Sequence, residues 1–421
     1  MKVTVFLNQL GLGGTEKAAA RWARGLRERG HEVHALALME GPRRSEFEKY
    51  DIEVRVISRE AALIHDQFRS LQPDVIHAHA PGHPHEGDVL GEALSRLSRK
   101  IPVLQTNVFG QLDNPKENAW TDFRLFVSWT SCVQAARRQF RRLDAAFFQH
   151  ASVAPYPLDS EEPPSQLAIS DFRKQNGVGN DEALFGRLSR PEPNKWTDLP
   201  IKAFRLARKQ NLGLKLLLRE PPSAVAKELR NAGDKDQFII LPATSDPAEL
   251  RLTMGSLDAV LHTSVIGESF GYGIAEPMNL AKPVIANSTP WLDQAQIELV
   301  RHGECGFIAS TPRSIADAVL RLASDPALRN KLGIAGQRHI RRLADPEESI
   351  ERLERALSAT LSGKPNPNAQ EDLAAARAAA VYLDAHQFGH SWHEQIVLRP
   401  FHYRVRFYQL RRKLHLPTRK R

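Results

Sequence analysis

The chain has 421 residues, of which 42% are apolar and 25% charged. That length suits roughly two or three domains, and the composition excludes a disordered chain, a collagen-like chain and a disulfide scaffold. Basic residues outnumber acidic ones by 58 to 49, a net charge of +9, but the sum alone does not choose among nucleic acid, an anionic membrane and a negatively charged small molecule as partner.

Short apolar runs alternate with longer amphipathic ones through the first 155 residues. Val3–Leu7 reads as a strand and Thr15–Arg29 as a helix, with Ala18, Trp22 and Leu26 at four-residue spacing. Strand-like runs follow at Val33–Leu38 and Ile52–Ile57, then a helix at Leu63–Leu71 and a strand at Val75–His79. A helix at Val89–Leu97 and strands at Val103–Asn107, Leu125–Ser128 and Ser152–Ala154 complete this half. The alternation predicts a parallel sheet covered on both faces. Pro155, Pro157, Pro163 and Pro164, with Asp159, Glu161 and Glu162, mark a hinge.

A second series begins beyond the hinge. Its strands are predicted at Leu184–Leu188, Leu214–Leu218, Phe238–Leu241, Ala259–His262, Val284–Ala286 and Phe307–Ala309, with helices between them. Helices at Pro326–Leu343 and Pro346–Leu361 close it, and Gly363 to Asn368 form a second linker. The predicted organisation is a first half at 1–155, a second half at 156–345, a closing helix at 346–362 and an extension at 365–421. Ligands of doubly wound sheets lie outside the carboxyl ends of the strands, so the expected site is a cleft between the halves.

Cys132 and Cys305 form neither a C-x-x-C pair nor a zinc spacing, which favours a reducing cytoplasm. The first eight residues are too short an apolar run for a signal-peptide core. No stretch approaches the roughly 18 apolar residues of a membrane span.

Three regions carry chemistry. The loop Asn8 to Glu16 holds Gly11, Gly13 and Gly14 between a strand and a helix N-terminus, which suits either a tight turn or contact with a phosphate. Glu16 stands where a dinucleotide fingerprint would want its third glycine, so a nicotinamide site is disfavoured. Gly186-Arg187-Leu188 ends a strand, and Lys195 follows across a loop stiffened by Pro191 and Pro193; two cations there suit a diphosphate leaving group. In Gly267 to Pro277, Glu268 and Glu276 stand eight apart, with Phe270, Gly271, Tyr272 and Gly273 between them at a helix start. Backbone N–H groups there suit phosphate or sugar oxygens, and Glu276 can accept both hydroxyls of a ribose.

In their order and spacing these residues resemble the retaining GT-B glycosyltransferases, the large group related to glycogen and sucrose synthases and to bacterial lipopolysaccharide glucosyltransferases. The likeness covers about residues 1–361. It rests on Gly13-Gly14-x-Glu16, Asp74-Val75-Ile76-His77-Ala78-His79, Gly186-Arg187-Leu188 with Lys195, Glu268-x7-Glu276, Lys282-Pro283-Val284-Ile285-Ala286 and His302-Gly303-x-x-Gly306-Phe307.

The resemblance implies an α/β fold of two Rossmann-like domains facing across a cleft, and a nucleotide-sugar donor held mainly by the second. It implies that Arg187 and Lys195 hold the diphosphate, that Glu276 takes the ribose, and that Glu268 and the backbone of Phe270, Gly271, Tyr272 and Gly273 lie by the transferred sugar. The Gly13-Gly14 loop would close over the phosphates, and the backbone around Leu241-Pro242-Ala243 would meet the base. The implied reaction is metal-free and cofactor-free transfer, with retention, to a glycan or lipid-linked acceptor. A nucleotide-sugar epimerase and a non-catalytic nucleotide-sugar module are the alternatives. Trp196 replaces the glycine usual after the lysine.

His77 and His79 end a strand on one face, and His79 is the candidate for positioning sugar or acceptor; a structural, hydrogen-bonded histidine is the other reading. His83 and His85 extend the cluster, but no carboxylate partner is evident and no metal site is predicted. Asp234-Lys235-Asp236 reads as a solvated turn.

The +9 is concentrated at one end. Residues 365–421 hold ten basic residues against four acidic ones, so +6 of the total lies there. Basic and aromatic side chains interleave most densely over 398–416. Such a stretch suits an anionic bilayer on the inner face of the membrane, or a helix packed on the enzyme with its basic side in water. It carries no recognised nucleic-acid motif, so no nucleic-acid partner is predicted.

Overall fold

The computed structural model describes the chain except residues 81–87, 113, 141–142, 190, 193–194 and 401–421, and the side chains of 139 and 140. It divides into two compact units: residues 1–159 with 343–380, and residues 160–342 with 381–421.

The first unit is built on seven strands: β1 (Lys2–Leu7), β2 (Glu32–Ala37), β3 (Glu53–Val56), β4 (Val75–Ala80), β5 (Val103–Asn107), β6 (Phe123–Phe126) and β7 (Ala151–Val153). All pairings are parallel, in the order β3-β2-β1-β4-β5-β6-β7. The order reverses direction between β1 and β4, where Val3 faces Val75 and Phe6 faces Ala78. β1 and β4 are buried almost throughout because helices cover both faces of the sheet. Trp22 of helix Gly14–Glu28 is wholly buried, and its indole N–H donates to Ser349 Oγ at 2.9 Å. Ser349 belongs to helix Pro346–Ser362, which Asp345 caps and which Arg29 and His31 clasp through Glu354 at 3.1 and 2.7 Å.

The second unit has six strands: β8 (Ala183–Leu188), β9 (Leu214–Arg219), β10 (Phe238–Leu241), β11 (Ala259–His262), β12 (Val284–Ala286) and β13 (Gly306–Ile308). Their order is β10-β9-β8-β11-β12-β13, again all parallel, with the reversal between β8 and β11. Phe185, Leu216, Leu218, Leu261 and Ile285 form the centre of its core. Gly186 lies where a Cβ would come within 2.2 Å of Leu257, so only glycine lets β8 pack so closely there.

The doubly wound, parallel reading of both halves is what the structure has. Residues 108–150 differ from the sequence reading, which placed only one strand in them. Helices Pro115–Trp120, Trp129–Phe140 and Ala145–Phe148 fill the region around β6. The first and third start on side-chain caps, Asn114 and Asp144, but have six and four residues, too few to show helical periodicity. Cys132 and Cys305 are buried and form no disulfide with each other. Among the described residues no helix is long and apolar enough to cross a membrane.

Candidate active site

In the second unit the sequence-predicted residues gather at the carboxyl ends of β8 and β11, beside the reversal in strand order. The loop after β11 is locked by amide pairing: Ser264 N–H donates to Asn287 Oδ1 at 2.8 Å, and Asn287 Nδ2 returns a bond to the Ser264 carbonyl at 3.0 Å. Gly267 has φ +69°, and a Cβ there would sit 2.0 Å from the Asp293 carbonyl, so glycine is required. Glu268 follows, its N–H bonded to Gln296 Oε1 at 3.0 Å and its carbonyl to Ala295 N–H at 2.8 Å. Both main-chain groups are thus fixed before the side chain does anything.

The Glu268 carboxylate accepts from Lys195 Nζ at 2.7 Å and lies 3.1 Å from His262 Nε2. Lys195 also donates to the Gly267 carbonyl at 3.3 Å. The two side chains keep only 20% and 15% exposure, so the pair is weakly screened. Burial works to raise the Glu268 carboxyl, but Lys195 and His262 outweigh it and hold the carboxyl at about 2. Burial pushes the His262 imidazole down, and Glu268 offsets part of that. The result is a fixed carboxylate–ammonium pair with a histidine at its back.

Arg187 lies deeper than a surface cation. It is 1% exposed, its guanidinium stacks 4.4 Å from the Trp196 ring, and it donates to Thr263 Oγ1 at 3.2 Å and to the Lys195 carbonyl. Burial lowers it to about 10, with Glu268 partly restoring it. The Trp196 departure now has a physical role, since the ring covers the guanidinium and the Arg187–Lys195 carbonyl bond pins the loop that presents Lys195. Pro193 of that loop falls outside the described residues.

Helix Tyr272–Asn279 begins at Gly271, whose φ is +100°. A Cβ at Gly271 would lie 3.2 Å from Glu268 Cβ, and one at Gly273 would lie 3.4 Å from the His262 ring. The two glycines therefore let the helix start press against the Glu268–His262 pair. Phe270 and Tyr272 are buried, ring edge to ring face at 5.1 Å. Gly273 and Glu276, one turn apart, are the half-exposed positions of a helix whose other residues are buried. Near β10, the Pro242 carbonyl is taken by Arg219 at 3.0 Å.

In the first unit, the loop after β1 is a helix start capped at Gly13. A Cβ on Gly13 would come within 2.1 Å of Glu16 Oε2, and Glu16 also accepts from Gln9 Nε2 at 3.0 Å. The helix N-terminus beside Gly14 thus faces its own carboxylate.

His77 and His79 do share a face of β4, with rings 4.4 Å apart and both against Trp22. His77 Nε2 bonds to Thr106 Oγ1 at 2.7 Å, whereas neither ring nitrogen of His79 has a partner among the described residues. Burial takes the His79 imidazole down to about 3, and burial with His79 beside it takes His77 well below the usual range. His79 also lines a small cavity of about 40 Å³ with Asn8, Arg59, Asp88 and Glu117. His83 and His85 lie outside the described residues; among those described, no group of three or more His, Cys, Asp or Glu is arranged to hold a metal. Asp234 sits in a turn and pairs with Arg205 at 2.7 Å.

Sequence reasoning did not single out His262, Thr263, Gln296 or Asn287. The available signal was the His-Thr-Ser step closing β11, six residues before Glu268.

Two parallel sheets of Rossmann-like type, with the candidate residues near strand carboxyl ends, are the architecture of the GT-B glycosyltransferases. Residues 168–339 match the family model for glycosyl transferases group 1, and residues 15–129 match that for glycosyl transferase 4-like domains. Both matched models are of glycosyltransferases, and together they span the larger part of the chain.

Solved structures agree on the fold. Anabaena HepE, solved in complex with UDP and glucose, is 20% identical, with a TM-score of 0.71 over 85% of this chain and 100% of its own. A glycosyltransferase from Rickettsia africae is 16% identical, with a TM-score of 0.70 over 86% and 99%. The lipopolysaccharide outer core galactosyltransferase WaaB is 15% identical, with a TM-score of 0.63 over 85% and 99%.

Proposed function

We propose that the protein transfers a sugar, with retention at the anomeric carbon, from a nucleoside-diphosphate donor to a glycan or lipid-linked acceptor. The observation that carries this reading is the Lys195–Glu268–His262 cluster at the carboxyl ends of β8 and β11, inside the unit matched by the group 1 model. That HepE was solved with UDP and glucose, and that WaaB is a lipopolysaccharide galactosyltransferase, supports a nucleotide-sugar donor and a glycan or glycolipid acceptor.

The donor diphosphate lies against Lys195 and the helix start at Gly271–Gly273, with Arg187 behind them supplying positive charge from a buried position. As the sugar–phosphate bond breaks, charge builds on the departing phosphate, and these fixed cations and N–H groups stabilise it without a metal ion. Lys195 shifts part of its contact from Glu268 to the phosphate, freeing the carboxylate to bind the transferred sugar's hydroxyls. Glu276, half-exposed one turn from Gly273, accepts both ribose hydroxyls. The departing phosphate takes the acceptor proton itself, so no protein nucleophile is needed. In the first unit, His79 is assigned to sugar or acceptor positioning and the Gly13-Gly14 loop to phosphate contact. The basic, aromatic stretch 398–416 of the extension rests on an anionic membrane surface on the cytoplasmic side.

A thermal-shift screen of UDP-, GDP- and ADP-sugars tests the donor claim, because a ligand that binds the native state raises its melting temperature. One nucleotide family should stabilise the protein, and Glu276→Ala should abolish the ribose-dependent part. Binding without turnover of any acceptor would favour a non-catalytic module, and a free epimerised sugar would favour an epimerase.

A further inference from the structure

The extension contains a second feature, distinct from its basic charge. Residues 392–400 form a helix that is fixed to the second unit by a buried carboxylate. Glu394 is 1% exposed; its Oε1 accepts from Ser310 N–H at 2.6 Å and Ser314 Oγ at 2.8 Å, and its Oε2 from His390 and Ser391 N–H at 2.8 and 3.1 Å. Leu398, one turn on, is buried on the same side. His302 and His390 stack at 3.5 Å and complete the attachment.

With Glu394 and Leu398 inward, the helix has no freedom to turn its apolar residues in. Trp392 and Ile396 stand 65% and 60% exposed on the opposite side, and Val397 is 56% exposed on the flank. This is the reverse of ordinary amphipathic packing, in which a carboxylate faces water and a tryptophan faces the core. Arg399 emerges between them, over the Phe388 ring at 5.2 Å. Residues 401–421, which lie outside the described residues, follow directly; their sequence holds eight Lys and Arg and no acid.

We infer that the Trp392–Ile396–Val397 face is an interfacial anchor that seats this protein on an anionic lipid bilayer. Apolar side chains enter the headgroup boundary, tryptophan favours that depth, and the basic residues on either side of Pro400 complement the lipid charge. The inference rests on the membrane-surface reading above and assigns it to a surface the basic stretch alone did not reveal.

The test is co-sedimentation of the full chain with vesicles of phosphatidylcholine, with and without phosphatidylglycerol, and without donor. The wild-type protein should bind the anionic vesicles, and the triple variant Trp392→Ser, Ile396→Ser, Val397→Ser should lose about tenfold or more in partitioning. Its melting temperature should stay near that of wild type, since all three side chains are exposed. Trp392→Tyr should restore most of the binding that Trp392→Ser removes. Glu268→Gln should sediment like wild type, which separates this claim from the catalytic one. Unchanged binding by the triple variant, or equal binding with and without phosphatidylglycerol, would overturn the anchor. So would self-association that the triple variant loses while neither protein binds vesicles, because a second copy would then cover the face.

Discussion

His79 and His262 occupy matching places in the two units. Each sits at the carboxyl end of the strand just past the reversal in its sheet, His79 next to last in β4 and His262 last in β11. Both are buried, yet their surroundings diverge. His262 backs onto Glu268, which Lys195 also holds, so the second unit keeps a fixed charge pair at its strand ends. His79 meets His77, Trp22 and a small cavity, with no partner for either nitrogen among the described residues. One fold position has been built as an ionic cluster and the other as a neutral, desolvated pair. The fixed charges thus lie in the second unit, and the first unit offers a neutral hydrogen-bonding group.

The sharpest way to break this contrast is Glu268→Gln. It keeps shape and burial while removing the charge, and transfer should fall by about 10²–10³-fold with the fold intact. Comparable transfer rates in steady-state assays would place the chemistry elsewhere.

Lys195→Met should cost transfer about 10–100-fold and stability about 1–3 kcal/mol, because it leaves a part-buried carboxylate with only His262. The pH profile carries the distinguishing signature. In the wild type Glu268 stays ionised down to about 2, so its protonation limits no rate near neutrality. In the variant the acid limb of kcat/KM should move upward, and an unmoved limb would show that Lys195 does not set the carboxylate's charge.

The first unit should respond to acid instead. His77 and His79 titrate in the folded chain far below the usual imidazole value near 6.5, His79 at about 3. Depressed values mean that the stability from these groups is complete above about pH 6.5 and is lost as pH falls, when the unfolded chain binds protons that the folded one refuses. Each contributes a slope of up to about 1.4 kcal/mol per pH unit. Urea midpoints at pH 7 and pH 5 should therefore converge in His77→Gln/His79→Gln, relative to wild type. An equal pH dependence in the two proteins would mean that these imidazoles are protonated when folded.

The smallest effect is expected at Trp196→Phe. The ring still covers Arg187, but with a weaker cation–π contact and less area, so the loss should be about 1 kcal/mol in denaturant melts. A neutral result would remove Trp196 from the support of Arg187.

Much of the scaffold could be read from the sequence because buried parallel strands are short apolar runs between helical patterns, as at Val3–Leu7 and Ala259–His262. Within residues 108–150, the helices of six and four residues are defined by caps such as Asn114 and Asp144 rather than by period, whereas Trp129–Phe140, at twelve residues, is long enough to show a period and was not picked out. At the site, Glu268 and Glu276 stand out because glycines separate them at a helix start. His262 does not, because its tie to Glu268 depends on the loop turning back at Gly267. Nor does the sequence show that Arg187 is sealed beneath Trp196, since a tryptophan after a lysine reads equally well as loop surface. The outward face at Trp392 was hidden for the same reason: the buried Glu394 that orients it is acidic, and acids are ordinarily assigned to water.

The most direct measurement is time-resolved proton NMR of donor turnover, using the nucleotide sugar that most stabilises the protein. Retaining transfer predicts that the sugar leaves the nucleotide with its anomeric configuration kept and its other stereocentres unchanged, and that Glu268→Gln suppresses the signal. Release of the opposite anomer, or of a sugar epimerised at another carbon, would contradict it.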